Sequence, residues 1–149
     1  MSNKSNNQGR AYEYIFLNSL FEVISKIREV SIEKNSSLMA SRQAWETLSS
    51  QDKEIYKKSA LTGVSIILDL EPLIIEKSND ILNLKIQSDD EGKKGDVRDI
   101  IIMRENVNWE IGLSLKHNHF AVKHSRLSKK LDFGERWYNI PCSKEYWKK

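Results

Sequence analysis

Residues 99–116 restrict the fold more than any other stretch of this chain. Asp99 precedes Ile100, Ile101, Ile102 and Met103, an unbroken apolar run of the kind found in strands buried on both faces. Arg104 to Asn108 then supply a short polar turn. From Trp109 onward the residues alternate. Trp109, Ile111, Leu113 and Leu115 share one face, and Glu110, Gly112, Ser114 and Lys116 share the other. A sustained period of two predicts a strand, and the short connection predicts an antiparallel hairpin.

With the turn centred near Asn106 or Val107, Asp99 falls across from residues 114–116. A carboxylate and an ammonium then lie side by side at the open end of a sheet. The carboxylate suits a hard divalent cation such as Mg²⁺, which prefers oxygen ligands and keeps several waters. The carbonyl of Leu115 is a further candidate ligand. The lysine suits orienting or deprotonating a water and offsetting charge on phosphoryl oxygens. The plainer alternative is a cross-strand salt bridge between Asp99 and Lys116, a contact of about 0.2–1 kcal/mol.

Asp, a strand, a tight turn and a second strand ending in x-x-Lys is the arrangement of the PD-(D/E)XK nucleases. More narrowly, the chain resembles the HaeIII-type type II restriction endonucleases. The segments that carry the likeness are Gly9-Arg10-Ala11-Tyr12-Glu13, Gly95-Asp96-Val97-Arg98-Asp99, Ser114-Leu115-Lys116-His117-Asn118-His119 and Lys123-His124-Ser125-Arg126-Leu127-Ser128. It spans nearly everything from Gly9 onward.

The resemblance implies an α/β, restriction-endonuclease-like core that makes double-strand cuts in DNA at GGCC. In that chemistry a metal-bound water attacks phosphorus in line and leaves a 5′-phosphate. Asp99 would hold Mg²⁺ with help from Glu13 or Glu110, and Lys116 would position the water. Asn118, His119, Lys123, His124 and Arg126 would hold the backbone or read bases, arginine being the usual reader of guanine. A homodimer and a cognate methyltransferase are further expectations of the resemblance. The relatives are also longer, so the resemblance implies a chain that stops partway, without the last strand of the core.

One position departs from the superfamily pattern. Two residues before the lysine, where most such nucleases carry an acid, stands Ser114. Glu110 shares its strand face but lies roughly 13 Å away along the strand. There it faces about Arg104, as an ion-pair partner more than a metal ligand. Glu13 is the better-placed substitute if the first helix brings its N-terminal end to the site. Without the resemblance, an acid near a helix N-terminus is an ordinary dipole partner.

The 149 residues suffice for one domain, expected over residues 9–149, with residues 1–8 a disordered lead-in. A net charge of +3 does not imply nucleic acid, but its distribution is uneven. Between Lys116 and Lys130 stand five Lys or Arg, all three histidines and no acid, the footprint expected for phosphate contacts or for a solvated basic helix. The single cysteine, Cys142, excludes an internal disulfide and favours a reducing cytoplasm. No segment is long and apolar enough for a membrane span, and the polar start lacks the core of a signal peptide.

In chain order, apolar residues at Tyr12, Ile15, Phe16, Leu20, Val23, Ile24 and Ile27 predict a helix over residues 10–28. A connector or brief strand follows at 31–35, then a helix capped by Ser36 or Ser37 and running to 48. Ser49 and Asp52 start a third helix that Pro72 ends or kinks. Trp45 and Tyr56 are expected in the core. Alternation of Leu82, Leu84 and Ile86 with Asn83, Lys85 and Gln87 predicts a half-buried strand. Asp89 to Gly95 reads as a solvated loop, lacking the ligand spacing of a calcium loop, and Asp96 either assists the site or shapes the turn.

After the hairpin a basic helix is expected from Asn118 or His119 to about Lys130. The sum is two or three N-terminal helices, a three-stranded mixed or antiparallel sheet, and a basic helix. Two other functions remain open at this stage. One is a DNA-binding fragment unable to cut. The other is a repair or recombination nuclease on the same core.

Overall fold

A computed structural model describes residues 2–88, 90, 94–95, 98–116 and 121–123, with side chains described within residues 6–115. Helix α1 (Ser2–Ser25) leads into a short strand β1 (Val30–Ile32), followed by helices α2 (Ser36–Glu46) and α3 (Ser50–Leu70). A 3₁₀ turn at Pro72–Ile74 precedes β2 (Leu82–Ile86) and β3 (Ile100–Arg104). A second 3₁₀ turn at Glu105–Val107 leads to β4 (Trp109–Lys116) and the short β5 (Ala121–Lys123).

The strands lie in sequence order, β1-β2-β3-β4-β5. β1 runs parallel to β2, and the remaining neighbours are antiparallel. The sheet is therefore mixed and wider than the three strands expected. β1 to β4 form a four-stranded sheet, and β5 pairs with the far end of β4. Val30–Ile32 is too short to display a period, and its pairing with Leu82–Leu84 supplies what local pattern cannot. Residues 121–123, expected inside a basic helix, instead pair as Ser114↔Lys123, Leu115↔Val122 and Lys116↔Ala121. The rest of that expected helix, residues 118–120 and 124–130, lies outside the described residues.

The core forms where α1 lies on one face of the sheet. Leu82, Leu84 and Ile86 of β2, Ile100 and Ile102 of β3 and Leu113 of β4 are buried against Phe16, Leu17, Leu20 and Ile24. Each fully buried aliphatic side chain there contributes roughly 1.5–3 kcal/mol. Ile101 is buried as well, on the opposite face, as the unbroken apolar run predicts. Trp109, Ile111 and Leu115 pack partly buried against the core, in line with their shared parity.

α1 begins at Ser2, so residues 2–8, expected as a disordered lead-in, are helical, and the helix ends at Ser25, short of Arg28. The N-cap of α2 is Asn35, one residue before the expected serines. Its Oδ1 accepts from Leu38 N–H at 2.8 Å while its Nδ2 donates to the Ile86 carbonyl at 3.0 Å, tying the helix to the end of β2. Ser49 caps α3 through the Asp52 amide, and the helix stops at Leu70, before Pro72. Tyr56 is buried, its ring edge-on to Tyr12. Trp45 packs against the core with Lys53 over its ring.

Candidate active site

Asp99 occupies the bend that enters β3, beyond the last paired rung of the hairpin. That rung joins Ile100 to Leu113, and Asp99 next to it bonds to Leu113 and Leu115, on either side of Ser114. Three hydrogen bonds fix it. Its amide donates to the Leu113 carbonyl at 2.7 Å, and its own carbonyl accepts from Gln87 N–H at 2.9 Å. Its carboxylate Oδ2 accepts from the Leu115 amide at 2.7 Å. The carboxylate thus continues the β3–β4 ladder with a side-chain oxygen. Because the N–H and C=O of one strand residue point to the same side, the Leu115 carbonyl also faces the Asp99 edge.

Lys116 follows one residue later as the last residue of β4, its backbone opposite Ala121. Lys123 of β5 is set opposite Ser114, so the strand pairing brings its backbone beside that of the site. Asn118, His119, His124 and Arg126, together with Asp96, lie outside the described residues.

Glu13 reaches the same end of the sheet from α1. Asn6, Gly9, Arg10 and Glu13 recur at spacings of three and four and form one wall of a cleft of about 330 Å³. Ser37 and Ser41 of α2 form a second wall, and Ile86 and Gln87 at the end of β2 close it. Gln87 is the link, since its backbone holds the Asp99 carbonyl while the residue lines the Glu13 cleft. Two further residues of the same segment, Ala11 and Tyr12, turn into the core, and the Tyr12 hydroxyl meets Ser59 at 3.0 Å. Burial raises the Tyr12 pKa above the ordinary phenol value. That one helical segment therefore serves packing on one face and the cleft on another.

Glu110 is opposite Met103, one rung from the expected Arg104. It forms an ion pair, but with Arg98, at 2.5 Å. Arg98 reaches it by lying across β4 at Gly112, where a Cβ would fall inside the arginine's side chain. Arg98 also lines a second groove with Glu33, Asn35, Lys85, Ile86, Gln87 and Ser88.

Arg104, assigned from sequence to the turn, is instead buried as the last residue of β3. Its Nε contacts Asp80 Oδ2 at 3.1 Å, and its Nη1 contacts Glu76 Oε2 at 2.8 Å. Arg28 meets the other Asp80 oxygen at 2.5 Å. The hydrogen bond from Arg104, joined by Arg28, holds the Asp80 carboxyl below the ordinary carboxylate range although burial pushes the other way. Glu76 and Asp80 in turn raise the Arg104 pKa. The cluster braces the turn end of the hairpin, opposite the end that carries Asp99. Inward parity of an arginine at 100, 102, 104 was the one signal for it in the sequence.

Among the described residues no three His, Cys, Asp or Glu side chains gather as a metal cluster. The donors that do meet at the Asp99 edge are hard oxygens, a carboxylate and a carbonyl. Mg²⁺ commonly takes one or two protein carboxylates and completes its shell with water and phosphate, so this donor set fits it.

A family model described as HaeIII restriction endonuclease matches residues 9–149. The type II restriction enzyme HaeIII of Haemophilus aegyptius is 58% identical over 147 residues, which are 99% of this chain. The chain belongs to the HaeIII restriction endonuclease family. It spans 46% of the length of that relative. No solved structure matches it. The family match begins at Gly9, the first residue of the cleft-lining motif, and takes in the whole β3–β4 hairpin. No described helix is long and apolar enough to cross a membrane.

Proposed function

We propose that this chain carries the catalytic hairpin of a type II restriction endonuclease that hydrolyses double-stranded DNA at GGCC with Mg²⁺ as cofactor. The observation that supports this most is the Asp99 carboxylate held by the Leu115 amide at the open end of β3–β4, one residue before Lys116 in the chain. Family membership supports the reaction class; the GGCC specificity and Mg²⁺ rest on the resemblance read in the sequence.

Asp99 and the Leu115 carbonyl would hold the divalent cation, with Glu13 contributing from the α1 side of the cleft. The cation supplies charge neutralisation on the phosphoryl oxygens and acidifies water. Lys116 is assigned the positioning of the attacking water and the offset of charge that builds on phosphorus-bound oxygen. Ser114, in the place of the usual acid, contributes a neutral hydroxyl, so the site carries one negative charge fewer than its superfamily pattern. Asn118, His119, Lys123, His124 and Arg126 are assigned to DNA backbone and bases. A homodimer, a cognate methyltransferase and a cytoplasmic setting complete the proposal.

A second reading is a DNA-binding fragment that does not cut, favoured by the 46% coverage of the relative. Duplex binding and metal binding separate the two. The endonuclease reading expects Mg²⁺ or Mn²⁺ to bind by calorimetry and Asp99→Asn to abolish that binding while duplex affinity persists. If Asp99→Asn leaves metal binding intact, the ligand assignment is wrong. A fragment limited to binding shows DNA affinity that falls steeply with salt and no metal-dependent product.

A further inference from the structure

We propose that Arg98, Gly112 and Glu110 form a clasp that positions Asp99, and that Glu110 acts through Arg98 and not as a metal ligand. This rests on the assignment of Asp99 to the catalytic site. Arg98 immediately precedes Asp99 and lies before the first paired rung of β3, which is Ile100↔Leu113. Arg98 supplies a tether by running its side chain over the neighbouring strand to Glu110, two residues beyond Gly112.

Gly112 is what opens the path. Its face of β4 is shared by Glu110 and Ser114, and any side chain at 112 would fill the space of the Arg98 methylenes. Gly112 lies in regular strand pairing with Ile101 and is not among the residues with positive φ. Its lack of a side chain therefore answers a close approach and not a backbone need. The ion pair is half exposed, with 34% and 48% of the two side chains accessible, so charge attraction alone contributes little to stability. Its geometry still restrains the backbone beside Asp99. A tether at residue 98 and hydrogen bonds at the amide and carbonyl of residue 99 hold the backbone from which the carboxylate accepts from Leu115.

The Leu115 amide reports this orientation directly, without any need for DNA. In amide hydrogen exchange followed by NMR, Glu110→Gln and Arg98→Met should each speed Leu115 exchange about tenfold, the loss of roughly one hydrogen bond to a charged group. The Ile102 and Met103 amides in the body of β3 should keep wild-type protection. The double variant should match either single one, since both remove the same tether. Glu110→Gln is close to isosteric at an exposed position, so it should fold. The charge-exchanged pair Arg98→Glu with Glu110→Arg should recover part of the Leu115 protection.

Unchanged Leu115 exchange in both single variants would overturn the clasp, and so would an equal loss of protection across the whole hairpin. Cleavage by the wild type reads the other question. Where it cuts, the clasp predicts that Glu110→Gln and Arg98→Met lower activity and raise the half-saturating Mg²⁺ concentration to the same degree, since both act through Asp99. A loss confined to Glu110→Gln, with Arg98→Met cutting as the wild type, would make Glu110 a metal ligand and sink the proposal. If the wild type does not cut but Leu115 responds as stated, the clasp stands and the catalytic assignment fails.

Discussion

Gly63→Ala should destabilise this protein despite replacing glycine with the best helix former. Gly63 is buried in the middle of α3, where a Cβ would lie 2.7 Å from Phe16 Cε2 and 3.5 Å from Cζ. Ordinary contact begins near 3.4 Å, so the ring must retreat by several tenths of an ångström. Phe16 has no exposed surface into which to move, and its neighbour Tyr12 packs edge-on at 6.1 Å. Overpacking of this kind costs about 1–3 kcal/mol. Alanine returns about 1 kcal/mol of helix propensity. The net expectation is a loss of up to about 2 kcal/mol, a fall of several degrees in Tm for a chain of this size. Phe16→Leu shortens the side chain facing the new methyl. In a double-mutant cycle read by urea unfolding, Gly63→Ala should cost less in the Phe16→Leu background than in the wild type, with a coupling of at least 0.5 kcal/mol. A Gly63→Ala variant more stable than the wild type, or strictly additive with Phe16→Leu, would refute the reasoning.

The buried cluster predicts a pH dependence. Asp80 titrates lower folded than unfolded, so its contribution is present above the unfolded carboxylate pKa and lost as pH falls through the folded one. Thermal unfolding of Asp80→Asn should therefore lose part of the wild-type decline in Tm below about pH 4, while starting from a lower Tm at neutral pH. Asn35→Ala removes both the α2 cap and the bond to the Ile86 carbonyl, and chemical denaturation should register a loss of about 0.5–2 kcal/mol. Asn35→Asp keeps the cap and should fall between the two. At Asn108, where φ is 49°, glycine should be tolerated and valine should cost on the order of 1–3 kcal/mol in the same assay.

The hairpin was legible in the sequence because both of its strands carry their own signal. The run from Ile100 to Met103 is buried on both faces, and the parity of Trp109 to Leu115 separates core from site. Its register was legible to within a rung, enough to bring Asp99 to the Leu113–Leu115 segment but not enough to pair Glu110 with the right partner. A one-rung error changes which cation an acid meets, and Arg98 reaches Glu110 through a gap that no periodicity marks. β1 was read only as a connector or brief strand at 31–35 and β5 was missed, because each has three residues, fewer than a period needs to show itself. The Arg28–Asp80–Arg104 cluster was missed because its members are 24 and 52 residues apart in sequence. Local spacing carries no information on such contacts. At the site, the resemblance selected Glu13, and the cleft shared by Glu13 and Gln87 gives that selection a place in the fold.

The measurement that tests the central claim most directly is digestion of plasmid DNA by the purified chain, with and without Mg²⁺, beside Lys116→Ala. The account predicts fragments that depend on Mg²⁺, end within GGCC with 5′-phosphates, and vanish in the variant. Undiminished cutting by Lys116→Ala, or no metal-dependent product from the wild type, would contradict it.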